Sequence, residues 1–191
     1  MRTPLFCVLF VLSAGANAKT APLEHVHLQW RATSDLSLGA RQMPQTPIRF
    51  EKFVDAREKK EAIGENREDD SPKPVSTTDD VGEFVSTHMR QLFDKGGLKT
   101  VESNGAVTIK GEVKQFFVRE TATYKSEVAV HITVVGSDGA TLWSGVASGA
   151  ATRFGRSYKL ENYCEVLSDA VVNTVSSMLQ SAEFQKALAQ L

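Results

Sequence analysis

Near the start of the chain Val26, Leu28 and Trp30 share one face and His25, His27 and Gln29 the other, the period-two pattern of a half-buried strand. Past breakers at Gly39, Pro44 and Pro47, a second apolar segment of Ile48, Phe50 and Phe53-Val54 closes at Asp55. From Ala56 to about residue 76 the sequence is crowded with Glu, Asp, Lys, Arg and Pro and has few apolar anchors, which predicts a long, mobile, charged loop. The period then lengthens to that of a helix. Val81, Phe84, Val85, Leu92 and Phe93 form one stripe with Met89 beside it; Thr77 or Thr78 is placed to cap it, Asp79 and Asp80 suit its positive end, and Gly96-Gly97 turns the chain out.

Leu98 to Val101 reads as a short strand followed by a turn at Ser103-Asn104-Gly105. Three longer strands come next as a meander. Val107, Ile109, Gly111, Val113 and Gln115 share one parity; Val128, Val130, Ile132 and Val134 share another; Leu142-Trp143 opens the third, after the sharp turn Gly136-Ser137-Asp138-Gly139. Gly145, Ala147, Gly149 and Ala151 put the smallest side chains of that strand on one face, room for a helix to approach closely. The strongest helix follows, with Leu160, Tyr163, Val166, Leu167, Ala170, Val171, Thr174, Val175, Met178 and Leu179 at spacings of three and four, and Glu183 to Leu191 extending it. These elements predict an α+β fold, a mainly antiparallel sheet with two helices packed on one face.

The first eighteen residues, MRTPLFCVLFVLSAGANA, have the makeup of a cleavable export signal: Arg2, an apolar run from Leu5 to Leu12 too short to span a bilayer, and the small-x-small ending Ala16-Asn17-Ala18. Cleavage between Ala18 and Lys19 leaves residues 19–191 as a single α+β domain, large enough for a real core. Cys7 lies inside the apolar run and not at a cleavage point, so it reads as unlipidated filler of the signal. No later stretch is apolar for the roughly 20 residues of a membrane helix. The expected location is the periplasm, with secretion as a second possibility.

Composition narrows the partners. The chain carries 22 Lys and Arg against 23 Asp and Glu, a formal charge of −1 that loss of Arg2 lowers by one, with no long run of either sign. That excludes nucleic acid or an anionic bilayer as a bulk partner. Of two cysteines only Cys164 survives cleavage, so stability must come from packing without an internal disulfide.

Candidate chemistry is sparse. His25-x-His27 is the one pattern resembling a metal pair, because alternate strand residues project from one face, but two ligands are too few. His131 has parity opposite to the apolar row of its strand and reads as solvent-facing. Cys164 sits inside the amphipathic helix with no activating neighbour and reads as a structural thiol. GxSxG, CxxC, HExxH and phosphate-cradling loops are absent from the sequence. No cofactor is implied, and the expectation is a protein that is not an enzyme. The most distinctive local pattern is Asp55-Ala56-Arg57 followed by Ile63-Gly64-Glu65-Asn66, where a charged triad ends an apolar strand and a glycine turn follows. Asp55, Arg57, Gly64 and Asn66 are the candidate binding residues, weighed against the plainer reading that an Asp-x-Arg pair at a strand end stabilises the loop after it.

Phe53-Val54-Asp55-Ala56-Arg57, then Ile63-Gly64, then a helix ending in Gly96-Gly97-Leu98, then Tyr124 leading into an alternating strand, resembles the YajG-like family of bacterial envelope proteins over roughly Val26 to Leu188. The resemblance implies an α+β sandwich and an accessory role in the cell envelope. It departs from that family at Lys19, where those proteins usually carry an acylated cysteine. The leading reading is a non-enzymatic periplasmic accessory or binding protein whose partner is an envelope protein or envelope component, reached through the charged loop or an uncovered strand edge. The alternatives are a metal-dependent hydrolase using His25, His27 and carboxylates near Asp55, and a small-molecule or lipid carrier with a cavity above the Gly145 to Ala151 strand.

Overall fold

A computed structural model describes residues 21–36 and 44–189. The expected signal segment, its Ala18–Lys19 junction and the breakers around Gly39 lie outside the described residues. The elements follow in the order β1 (Leu23–Val26), β2 (Ile48–Phe50), β3 (Val54–Asp55), β4 (Ala62–Asn66), β5 (Lys73–Thr77), α1 (Val81–Lys95), β6 (Thr100–Val101), β7 (Val107–Glu120), β8 (Thr123–Gly136), β9 (Thr141–Phe154), α2 (Leu160–Gln180) and α3 (Ala182–Ala189).

The meander forms as its alternation predicts. In β8, Tyr124, Ser126, Val128, Val130, Ile132 and Val134 are buried beneath the helices, while Lys125 and Glu127 point to the outer face. Gly139 takes φ +85° in the β8–β9 turn and Asp138 Oδ1 accepts from the Ala140 amide at 2.9 Å, the chemistry that a tight reversal needs. The sheet, however, is mixed and not mainly antiparallel. Along one edge β7 pairs in parallel with β2, β3 and β4 in turn; β1 is parallel to β5 and β2 to β6, while β4–β5, β7–β8 and β8–β9 are antiparallel. Hairpins announce themselves by local turn residues, whereas parallel partners are joined through distant crossovers and leave no local signal.

The expected mobile loop at about 56–76 is also corrected, because it contains the β4–β5 hairpin. Gly64 to Asn66 pair with Val118 to Glu120 of β7 on one side and with β5 on the other. Ile63, Val75 and Thr77 point into the core, so this hairpin is part of the fold, and its charged residues concentrate at the exposed tip and solvent face.

Among the described residues three helices, and not two, lie on one face of the sheet. Helix α1 is capped by Asp80, whose Oδ1 accepts from Glu83 N at 2.9 Å, in place of the expected Thr77 or Thr78; the Thr77 hydroxyl donates instead to the Val26 carbonyl at 2.6 Å. Its Gly82 is pressed against the chain before β3, where a Cβ would lie 2.1 Å from the Phe53 carbonyl oxygen. Helix α2 crosses β9 so closely that a Cβ on Gly149 would sit 2.4 Å from Thr174 N, so the small-residue row serves helix packing. After a break at Ser181, α3 adds Phe184 and Leu188 to the core.

Residues 27–36 leave β1 as an extended strap over α1 and α2. Leu28, Trp30 and Ala32 turn inward while His27, Gln29 and Arg31 stay exposed, so the period-two pattern persists although only Leu23–Val26 pairs as a strand. Asp169 of α2 fixes the strap, accepting from Thr33 N at 2.7 Å, Thr33 Oγ1 at 2.6 Å, Ser34 N at 2.8 Å and Ser34 Oγ at 2.9 Å. Trp30 stacks on His88 of α1 with ring centres 4.2 Å apart.

Candidate functional site

Of the four residues singled out by sequence, Asp55 and Arg57 form one compact unit. Arg57 is buried and its guanidinium forks onto Asp55, Nε to Oδ1 at 2.9 Å and Nη2 to Oδ2 at 2.8 Å. Nη1 donates to the carbonyls of Ala62 at 2.7 Å and Phe116 at 3.2 Å, and Nη2 also donates to the Lys60 carbonyl. A guanidinium has five N–H donors, and all five are spent inside the protein. Burial pushes the Asp55 carboxyl up, but the hydrogen bonds and charge of Arg57 outweigh it and hold the group below its ordinary value. Arg57 therefore ties the chain leaving β3 to the start of the hairpin and to β7, the structural role weighed against binding, and it has no donor to offer a ligand.

Gly64 and Asn66 sit farther along the same edge of β7, beside a buried polar cluster that sequence reasoning missed. Glu120, at the end of β7, is fully buried; its Oε1 accepts from Ser157 N at 3.0 Å and Tyr158 N at 2.9 Å, and its Oε2 from Tyr163 Oη at 2.7 Å. Burial alone would raise this carboxyl, yet bonds from Tyr124, Tyr163, the Tyr158 amide and Asn66 bring it below its ordinary value. Burial and the bond to Glu120 in turn push the Tyr163 hydroxyl far up, so it stays protonated as a donor. Tyr158 holds a left-handed φ of +41° and its hydroxyl donates to the Pro74 carbonyl at 2.9 Å while accepting from Leu23 N at 3.1 Å, tying β1 and β5 to the α2 entry. Gly64 is required here, since a Cβ would meet the Tyr163 ring at 2.8 Å. One sequence signal pointed to this cluster: Glu120 continues the inward parity of Phe116 and Val118, a place where a carboxylate needs partners.

An open cleft of about 610 Å³ lies where β3 and the β4–β5 hairpin diverge over the N-terminus of α1, bordered by Lys52, Val54, Asp55, Lys60, Glu61 and Asp80. Its charges are largely answered from within. Lys52 Nζ bridges Asp80 at 2.6 Å and Glu83 at 3.2 Å, and Asp55 is held by Arg57. Asp79, which also borders it, is held by His27 Nδ1 at 2.9 Å and by the Leu28 amide at 2.6 Å.

The remaining candidates disperse. His27 Nδ1 lies 2.9 Å from Asp79 Oδ1, and His25, at φ +55°, breaks the alternation that would have aimed both imidazoles at one ion. Among the described residues no group of three or more His, Cys, Asp or Glu is placed to hold a metal. His131 Nε2 contacts Ser144 Oγ at 3.1 Å on the outer face, and Glu112, its cross-strand neighbour on β7, is bound to Lys114 Nζ at 2.6 Å. Cys164 is buried beneath the strap and burial pushes its thiol up, away from reactivity. Of the space above Gly145 to Ala151, which a carried molecule would need, α2 fills the part over Gly149 and the Trp143 ring the part over Gly145.

The fold defines a class: a mixed sheet with helices on one face and, among the described residues, no element over the opposite face of β7–β9. No protein-family model matches the sequence, and no curated protein matches it. In structure the chain is similar to a Xanthomonas campestris protein assigned to the DUF330 family, with a TM-score of 0.53 at 11% identity over 78% of this chain and 88% of that one. A PelC dodecamer from Paraburkholderia phytofirmans gives a TM-score of 0.43 at 17% identity over 82% of this chain and 98% of that one. The first likeness establishes a shared architecture. No helix among the described residues is long and apolar enough to cross a membrane.

Proposed function

We propose that this chain is a non-enzymatic accessory protein of the bacterial cell envelope, exported to the periplasm, that holds a protein partner or envelope component against the uncovered face of its sheet. One observation carries the reading: the helices cover a single face, and on the other the β9 residues Val146 and Phe154 stand 65% and 86% exposed. We take these two side chains, eight residues apart on the outer face of β9, as the anchors of a contact surface. The resemblance to the YajG-like family and the expected export signal support the envelope assignment. The polar unit at Asp55 and Arg57 and the cluster around Glu120 serve as the frame that holds the hairpin and the α2 entry in place.

Photo-crosslinking in intact source cells tests this, with probes replacing Val146 and Phe154 and a second set on the hairpin approach at Glu58 and Glu61. The expected result is one reproducible partner captured from the β9 probes. No product above background from either set would overturn the accessory reading.

A further inference from the structure

The outer face of β7–β9 carries a knob at one end and a hole at the other. Phe154, the last residue of β9, stands 86% exposed in the row of Thr123. At the opposite end a cleft of about 470 Å³ opens between the chain around Val54 and the β8–β9 turn, over a floor that includes Lys110, Glu112, His131 and Thr133. Val54, itself 61% exposed, and Val135 give the cleft apolar walls. A phenylalanine side chain removes about 150–250 Å² from water when it is enclosed. Within one molecule the two cannot meet, because ten residues of β8 separate the row of Phe154 from that of Thr133, about 34 Å along the strand. A second copy brings a knob to each hole and a hole to each knob, the self-complementarity that a two-fold contact requires.

The cross-strand pairing fixes what else would meet. From the knob end, the row of Phe154 is followed by the rows of Lys125, Glu127, Ala129, Glu112 and Lys110. A two-fold axis between the Glu127 and Ala129 rows, lying in the plane between the two sheets, sets the first row on the sixth, the second on the fifth and the third on the fourth. Phe154 then enters the cleft, Lys125 lies over Glu112 of the other copy, and Glu127 lies over the bulge that holds Lys114. No row meets one of like charge. At the centre Ala129, Ser148 and Ala150 are small enough for the sheets to approach to the usual stacking distance of about 10 Å.

The geometry points to a dimer in which the outer faces of two copies stack about this axis, each seating Phe154 in the cleft of the other. This deepens the accessory reading and rests on its contact surface, naming a second copy of this chain as the partner there. Helix α2 packs on the opposite side of β8 and β9, so the helices of both copies stay clear of the contact. Three strands of 14 residues present a face of about 46 Å by 14 Å, and most of it overlaps, so on the order of 1,000 Å² is buried in total. That is the lower bound of a specific interface and implies a weak, concentration-dependent dimer.

Sedimentation velocity on the purified protein tests this with three variants at exposed positions, each checked by circular dichroism for an unchanged fold. We expect a monomer–dimer equilibrium for the parent chain, and dimerisation weakened at least tenfold by Phe154→Ser, by Lys125→Glu and by Glu112→Lys. An equimolar mixture of Lys125→Glu with Glu112→Lys should dimerise again, because every Lys125–Glu112 contact between unlike chains then pairs opposite charges. A parent chain that is monomeric at every concentration, a Phe154→Ser variant that dimerises like the parent, or a charge-variant mixture that stays monomeric overturns the proposal. Capture of a different protein by the Phe154 probe, from a chain that is itself monomeric, would refute self-association and leave the accessory reading standing.

Discussion

Replacing Glu120 with alanine should be among the most damaging single changes to this fold. The carboxylate accepts from Tyr163 Oη and Tyr158 N, both buried, and from Ser157 N, which has a second acceptor in Tyr124 Oη at 3.2 Å. Truncation thus strands two buried donors. Each orphan costs about 1–3 kcal/mol, so the expected loss is about 4 kcal/mol, a large part of the roughly 5–15 kcal/mol that stabilises a domain. Glu120→Gln separates shape from charge. It keeps an acceptor for the two amides, and the Tyr163 hydroxyl can rotate to accept from the new NH₂ group, so the glutamine variant should recover more than half of the loss. Urea unfolding followed by tyrosine and tryptophan fluorescence gives both numbers, provided the m-value is unchanged. A cost below about 1 kcal/mol for the alanine variant would refute the reasoning, because it would mean that the donors find water or other partners as soon as the carboxylate leaves.

Other outcomes follow from the same contacts. Arg57→Ala should cost about 3 kcal/mol by leaving Asp55 unpaired, and Arg57→Lys should recover less than half of it in the same unfolding assay because an ammonium cannot fork. Gly82→Ala, which would stabilise an exposed helix by about 1 kcal/mol, should here destabilise by about 2 kcal/mol through the collision with Phe53; a rise in melting temperature would contradict the packing. The carboxyls of Asp55, Glu120 and Asp169 all lie below their ordinary values. Their stabilisation is therefore complete above the ordinary carboxyl range and is lost as pH falls through the depressed values. Burial likewise lowers the pKa of His88, which in the unfolded chain takes up its proton near 6.5. Stability should thus already decline as pH falls below that value, and His88→Phe should flatten the decline measured between about pH 7 and about pH 5.

Much of this architecture was legible in the sequence. The alternation in β7, β8 and β9 and the stripes of α1 and α2 reflect a clean division between core and solvent, the signal that periodicity carries. The β4–β5 hairpin was hidden because only Ile63, Val75 and a few small or polar residues face inward, too few apolar positions to outweigh the charges around them. Asp55 and Arg57 were legible as a pair, since their contact spans only two residues of sequence. Glu120 was not found: its partners at Tyr158 and Tyr163 lie some forty residues away, and only the fold brings them together.

The strap makes Cys164 a clock. Gln29 and Arg31 lie over the thiol, and the strap itself is tied to α2 largely by hydrogen bonds to the single carboxylate of Asp169. A segment held by side-chain bonds, with no ladder of its own, can detach at a lower free energy than the sheet beneath it unfolds. Each detachment exposes a sulfur that is otherwise sealed. The rate at which a thiol reagent labels Cys164 under native conditions therefore counts strap departures, and its ratio to the intrinsic rate measures how firmly the N-terminal segment is fastened, independently of the stability of the core.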